Sequence, residues 1–377
     1  MKTLRLGQMA SLALVGSIAL AGCGSDNNAS GGGSASASGS TGASSAPAAD
    51  CFEGTLNAEG SSAQKNAIEE AAASYSAACP GATVNYNPSG SGTGIKQFIA
   101  GQVDFAGSDS ALKTEPKDGK VEADEAAKAC GSPAWNIPMV TGPIAIAYNV
   151  KGVDSLTLTP DVAAQIFDGK ITTWNDPKIA AVNSGVTLPS TAIKVFFRSD
   201  ESGTTENFTK YLKAAAPNAW SYDPAKSWPA AGEGKEKSAG VSEGVKSTDG
   251  GITYVEWSYA KDNNLGVAKV DNGGGAVELT GESVGKAVEA AKQDGQGNDL
   301  RLKLDYATKQ AGAYPILLVT YEIVCSKYKD GATATKVKSF LKHFADPATQ
   351  KSLEDIGYAP LPSSIEEKVQ TAIAAIS

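Results

Sequence analysis

Three loops of small hydroxyl residues recur along the chain: Glu59-Gly60-Ser61-Ser62, Ser89-Gly90-Ser91-Gly92-Thr93-Gly94 and Glu201-Ser202-Gly203-Thr204-Thr205. Each lies just before a helix-like segment, so its backbone N–H groups gather at a helix start, where an anion is favoured. Ser and Thr at such positions either cap the helix or turn the hydroxyl toward a ligand. Arg198 opens the third loop straight after the apolar run Ala192–Phe197, where a guanidinium can make two parallel bonds to an oxyanion. Asp200 or Glu201 can pair with it. Asp109 is the odd member, because a carboxylate in the same mouth repels a fully ionised anion. An anion that keeps a proton can donate it to Asp109, whereas one without a proton sets lone pairs against an unmatched buried charge. Phosphate at neutral pH carries at least one proton and sulfate carries none, so one residue can separate them.

Other chemistries fit these residues less well. Gly90-x-Gly92-x-Gly94, with Asp109 downstream, resembles a dinucleotide fingerprint, but the third glycine comes one position early and the following helix is short. A phosphate loop of the nucleotide-hydrolase type fails because Gly94-Ile95-Lys96-Gln97 lacks Ser or Thr after the Lys. Paired carboxylates such as Asp104 and Asp109, or Asp200 and Glu201, could serve acid–base work, which keeps an extracellular phosphatase-like enzyme as an alternative. No His/Asp cluster offers a metal for it, and Asp104 reads as structural. Any Ser-His-Asp scheme must run through the single histidine, His343, which lies in a charged amphipathic segment far from the serine loops. The reading is therefore a non-enzymatic binder with no cofactor and no metal.

The elements that position these loops alternate as strand, loop and helix. Gly54-Thr55-Leu56, Ala82–Tyr86, Val103–Gly107, Ala192–Phe197, Ile252–Glu256 and Pro315–Val324 read as strands. Ala63–Ala78, a short segment at about 94–101 and Glu206–Ala215 read as helices. The alternation predicts an α/β fold with a mainly parallel sheet and ligand loops at the C-terminal ends of its strands. Pro138–Asn149 and Pro315–Val324 are long enough to cross between lobes. Two crossings leave residues 140–313 as an inserted second lobe, with 51–139 plus 314–377 as the first.

Residues 1–22 read as a signal segment, with Lys2 and Arg5 ahead of a short apolar run, Met9–Leu20. It ends in Leu20-Ala21-Gly22-Cys23, which resembles the lipobox of bacterial lipoproteins, whose Cys is acylated after cleavage. Residues 23–50 carry almost no side chains able to pack and read as a lipidated Cys followed by a flexible tether. Cys51, Cys79, Cys130 and Cys325 remain, an even number in an exported chain, which suggests two disulfides. Cys51–Cys79 with Cys130–Cys325 is the favoured pairing of the three possible, because each pair could sit at the ends of neighbouring strands. The formal charge is −8, so nucleic acid is not an expected partner. An acidic protein holds an anion only where backbone dipoles build the site locally.

The chain resembles the PstS phosphate-binding proteins of the bacterial Pst ABC importer, in their lipoprotein form. The matching runs are SGSGTGIKQFIAGQVDFAGSDSAL, IFDGKITTWNDPKI, FFRSDESGTTENFTKYL, GITYVEWSYAKDNNL and IGYAPLPSSIEEKV, in the family's order. The resemblance implies a two-lobed type II periplasmic-binding fold with two hinge crossings that closes over inorganic phosphate. It implies ligand contacts from Ser62, the backbone of Ala63, Ser91, Asp109, Arg198, Ser202, Gly203 and Thr204, with Asp200 orienting the Arg. Ser62-Ala63 replaces what is often Thr-Phe, and Thr93 stands where many members have glycine. Implied partners are the Pst permease subunits and, through Cys23, the cell membrane; a monomer is expected outside the cytoplasm. A surface interaction protein that kept the fold and lost the ligand is the remaining alternative.

Overall fold

The computed structural model describes residues 50–116 and 119–377. The signal segment, the acylation candidate Cys23 and all of the tether but Asp50 lie outside the described residues. The chain enters through β1 (Gly54–Gly60), α1 (Lys65–Ala78), β2 (Ala82–Asn87), α2 (Ser91–Ile99) and β3 (Phe105–Ser108). In α1 the buried residues Ala67, Ile68, Ala71 and Tyr75 recur at helical spacing, so one stripe faces the sheet. There follow β4 (Ala134–Asn149), β5 (Lys194–Arg198), α3 (Gly203–Ala215), β6 (Glu233–Lys235), α4 (Lys237–Lys246), β7 (Gly251–Glu256) and α5 (Trp257–Asp262). β8 (Gly266–Val267), β9 (Leu317–Cys325) and α6 (Gly331–Phe344) complete the elements that matter here.

These strands form one nine-stranded sheet in the order β2-β1-β3-β9-β4-β7-β5-β6, with β8 paired to β4 beside that path. The expectation of a mainly parallel sheet holds only at its two ends. β1 is parallel to β2 and β3, and β5 is parallel to β6 and β7. The middle is antiparallel, β3 to β9, β9 to β4 and β4 to β7. β4 and β9 run the length of the molecule in opposite directions, so they can pair only antiparallel.

β4 pairs with β9 through Ala134–Pro143 and with β7 through Ile144–Asn149. Its burial is nearly unbroken, as expected of a strand covered on both faces. Ile137, Met139 and Val140 join a core that includes α1 and α6, whereas Ile144–Tyr148 join another around Trp174, Phe208 and Tyr254. One strand thus feeds two hydrophobic cores. A register shift between Thr320 and Tyr321 of β9 lies at this passage.

Two helices begin earlier than the sequence suggests. α2 starts at Ser91, three residues before the expected position, because its glycines serve packing instead of a loop. A Cβ on Gly94 would stand 2.5 Å from Gly60 Cα and 2.6 Å from Glu59 O. α3 likewise starts at Gly203, ahead of Glu206. Both favoured disulfides are present, Cys51–Cys79 and Cys130–Cys325. The first ties the segment entering β1 to the C-terminus of α1; the second ties the helix Glu122–Cys130 to the end of β9.

Candidate anion-binding site

The three hydroxyl loops meet above the middle of the sheet, where the starts of α1, α2, α3 and α4 converge. The loop after β1 is shaped by Gly60, at φ +145°, whose Cβ would fall 2.0 Å from Gly107 O. No side chain fits there, so Ser61 N–H can donate to Gly107 O at 2.8 Å and Gly90 N–H to Gly60 O at 2.6 Å.

Asp109 sits just past β3 and is 3% exposed. Its Oδ1 accepts from Ser61 Oγ and from Thr320 Oγ1 at 2.7 Å, and its Oδ2 accepts from Ser91 Oγ at 2.9 Å. Asn207 Nδ2 donates to its backbone carbonyl at 2.6 Å. Burial raises the Asp109 carboxyl to about 6; the Ser61, Thr320 and Ser91 hydroxyls lower it in part, while the nearby Glu256 charge raises it. It remains mostly ionised at neutral pH.

Arg198 ends β5 and is 2% exposed. Its Nε and Nη2 bind Asp200 Oδ1 and Oδ2 at 2.7 and 2.6 Å in a two-pronged pair. Lys237 N–H also donates to Asp200, at 2.9 Å, and fixes its orientation. Arg198 Nη1 is left for the site, where it donates to Ser238 Oγ at 3.1 Å and Thr204 Oγ1 at 3.3 Å. Burial lowers the guanidinium's pKa and the Asp200 pair raises it, leaving it above the usual value; Asp200 is correspondingly held below the usual carboxylate range. Beneath, Tyr254 OH accepts from Arg198 N–H at 3.2 Å and meets Thr205 Oγ1 at 2.7 Å. Tyr254 stacks on Phe208 and Trp228, so an aromatic block supports both halves of the third loop.

The two serines of expected similar role differ. Ser202 caps α3, its Oγ accepting from Thr205 N–H at 3.1 Å. The N–H groups of Gly203 and Thr204, in the first turn, have no acceptor inside the helix. Ser91 does not cap α2 and turns its hydroxyl to Asp109 instead. Ser62 meets Ser238 Oγ at 3.0 Å, and Ala63 N–H donates to Ser61 Oγ at 3.0 Å. Thr93 is half-buried in α2, and its hydroxyl forms no hydrogen bond among the described residues. Every other expected site residue is gathered within this cluster.

The structure adds Ser61, Ser238, Glu256, Asn207 and Thr320. Glu256 ends β7 and accepts from Thr204 Oγ1 at 2.5 Å, while its Oε2 has no partner among the described residues. Thr320 and Glu256 leave a trace in the sequence, as polar residues in the apolar runs PILLVTYEIV and ITYVE. Ser238 leaves none, because Lys237, at φ +63°, turns the chain into the site.

The loops touch across the site. Gly92 N–H donates to Glu201 O at 3.0 Å, Lys96 pairs with Glu201 at 2.6 Å, and Tyr259 OH donates to Ser62 O at 2.9 Å. A buried cluster results, with one guanidinium, three carboxylates and many hydroxyl and N–H donors. Such a site suits a small oxyanion that brings a proton of its own. Among the described residues no group of three or more His, Cys, Asp or Glu could hold a metal, and no helix is long and apolar enough to cross a membrane.

Residues 34–348 match the PBP superfamily domain. The chain is 45% identical to the phosphate-binding protein PstS2 of Mycobacterium bovis, with 100% of each chain covered. It is 30% identical to the phosphate-binding protein PstS of Xylella fastidiosa, over 95% of each. A solved phosphate-binding protein from Stenotrophomonas maltophilia superposes with a TM-score of 0.67 at 20% identity, over 84% of this chain and 93% of that one, which shows a shared fold.

Proposed function

This chain belongs to the PstS family of phosphate-binding proteins, and on that premise we propose that it captures inorganic phosphate outside the cytoplasm and delivers it to a Pst ABC permease for uptake. The observation that carries the reading is Asp109, a buried carboxylate whose oxygens already take three hydroxyl donors, in the same cluster as Arg198, whose Nη1 holds the Thr204 and Ser238 hydroxyls. Phosphate would be held by Ser62, Ser91, Arg198, Ser202, Gly203, Thr204 and the Ala63 backbone, with its P–OH given to Asp109. The added Ser238 completes the donor set. An acyl anchor on Cys23 would keep the domain at the membrane.

The two-lobe division, 51–139 plus 314–377 against 140–313, draws on the two cores that β4 feeds, with Ala63, Leu317–Val319 and Ala359 of the first lobe packed into the core of Ile144–Tyr148. The contacts across the loops then correspond to a closed cleft, which excludes water and strengthens each bond to the anion. A phosphatase would have to use the Ser61 or Ser91 hydroxyl held on Asp109, and turnover of an aryl phosphate by the purified protein would reveal it.

Calorimetric titration of the purified protein checks the function. Phosphate should bind tightly while sulfate and molybdate give no comparable heat; equal affinity for either would defeat the claim. Closure has its own test in Gly203. A Cβ there would lie 2.6 Å from both Asp109 Cβ and Ser91 Oγ. Gly203→Ala is expected to weaken phosphate roughly ten- to a hundredfold, the usual range for a forced overpacking. Small-angle scattering should show the variant less compact with phosphate than the wild type.

A further inference from the structure

Behind Asp109 lies a second carboxyl that the phosphate site does not use. Glu322, on β9, is fully buried, and neither of its oxygens has a hydrogen-bond partner among the described residues. It stands two residues from Thr320 on the same face of the strand and pairs in register with Gly107 of β3. No Lys, Arg or His makes a salt bridge to it among the described residues. The titratable groups facing it are Asp109, from the loop after β3, and Tyr86, from β2. Its neighbour across β4 is the apolar Ile137.

Gln64 is the polar side chain that faces Glu322, and the Gln64 Oε1 atom is likewise buried without a partner. From Gln64 hydrogen bonds lead to the Ser61 backbone carbonyl, and the separate Ser61 hydroxyl reaches Asp109. Gln64 Nε2 donates to Tyr86 OH at 3.0 Å, Tyr86 OH donates to Ser61 O at 2.7 Å, and Ser61 Oγ donates to Asp109 Oδ1. A carboxylate at Glu322 would leave Gln64 Oε1 orphaned and set a second uncompensated charge behind Asp109. A carboxylic acid does neither: it carries no charge, and its O–H is a donor that the amide oxygen lacks. Isolated buried charge is costly enough that such a group takes up a proton instead.

We propose that Glu322 is held as a neutral carboxylic acid facing Gln64, and that its proton makes it a positioning residue for phosphate: it keeps a further negative charge from forming behind Asp109 and leaves the Asp109 carboxylate to its hydroxyl donors and the anion. This rests on the phosphate reading given above. Burial, opposed by Gln64 and reinforced by the Asp109 charge, pushes the Glu322 carboxyl up to about 8. The acid therefore persists at neutral pH and ionises only in alkali. Ionised Glu322 repels both Asp109 and the anion, so phosphate affinity falls as the pH rises through that value.

The test compares wild type with Glu322→Gln, whose amide keeps a donor facing Gln64 and cannot ionise. Infrared difference spectra at pH 7.5, without phosphate, should show a protonated-carboxyl carbonyl band in the wild type that Glu322→Gln lacks. Phosphate affinity between pH 7 and 9.5 should fall about tenfold further in the wild type than in the variant, the effect of one unit of coupling. Parallel pH profiles, or a band that survives in Glu322→Gln, would overturn the proposal. Should that variant fail to fold, Gln64→Met supplies the second measurement, because the same band must move toward the frequency of an unbonded acid; an unmoved band also overturns it. A wild type that bound no phosphate at pH 7 would instead sink the functional reading and the positioning role with it. The infrared band would separate that failure from a missing proton.

Discussion

Asp109→Asn is expected to raise sulfate affinity by roughly a hundredfold while lowering phosphate affinity by about tenfold, so that discrimination collapses more than binding does. The amide keeps the shape and removes the charge. It can donate to a sulfate oxygen where the carboxylate presented only lone pairs, and it loses the strong charge-assisted bond from P–OH. With the amide oxygen in the Oδ1 place Ser61 and Thr320 keep their acceptor, and the Ser91 hydroxyl can turn to accept from the amide N–H, which limits damage to the fold. Paired titrations with phosphate and sulfate decide it. Equal losses for both anions would remove Asp109 from its proton-reading role.

The same residue sets a pH dependence in the wild type. Its carboxyl is raised to about 6, so it takes up a proton as the pH falls from 7 to 5. The neutral form cannot receive a P–OH as well, and it no longer repels a fully ionised anion. Phosphate affinity should fall over that interval and sulfate affinity should rise. The acid-side effect belongs to Asp109, and its absence from Asp109→Asn separates it from the alkaline effect assigned to Glu322.

Arg198→Ala is the more damaging change, with phosphate affinity reduced by about a thousandfold, in keeping with removal of one partner of a buried charge pair. The variant removes the site's buried guanidinium and leaves Asp200 beside Glu256 and Asp109 with no cation between them. Much of the loss is this unbalanced charge. Arg198→Ala combined with Asp200→Asn should therefore recover thermal stability while leaving phosphate affinity low. Arg198→Lys keeps the charge and cannot hold Asp200 at both oxygens while reaching Thr204 and Ser238, so its loss should be smaller, about ten- to a hundredfold. Wild-type affinity in Arg198→Ala would remove the guanidinium from the site.

Much of the site is legible in the chain because its parts are local. A loop of Ser, Gly and Thr before a helix exposes N–H groups whatever the rest of the protein does, and RSDESGT places a guanidinium two residues from its carboxylate partner. Sequence alternation is enough to see strands and helices. It cannot show direction, because parallel and antiparallel neighbours use the same residues; the antiparallel middle of the sheet follows from β4 and β9 crossing the molecule in opposite senses. Glycine misleads for a similar reason. In SGSGTG it reads as loop, whereas Gly94 serves the close approach of α2 to the turn after β1.

What the sequence determined by itself is the set of groups: donors at helix starts, an arginine at a strand end two residues from its carboxylate partner, and an aspartate beside the serine loops. Those rest on residue type and near neighbours. Only the tertiary structure decided which groups face one another across long separations. It set Ser61, not Ser62, on Asp109, added Ser238, Glu256 and Thr320, and buried Glu322 behind them without a cation. The physical reason is burial. A carboxyl's charge depends on the dielectric and the partners around it, and those come from segments that touch only once the sheet has formed.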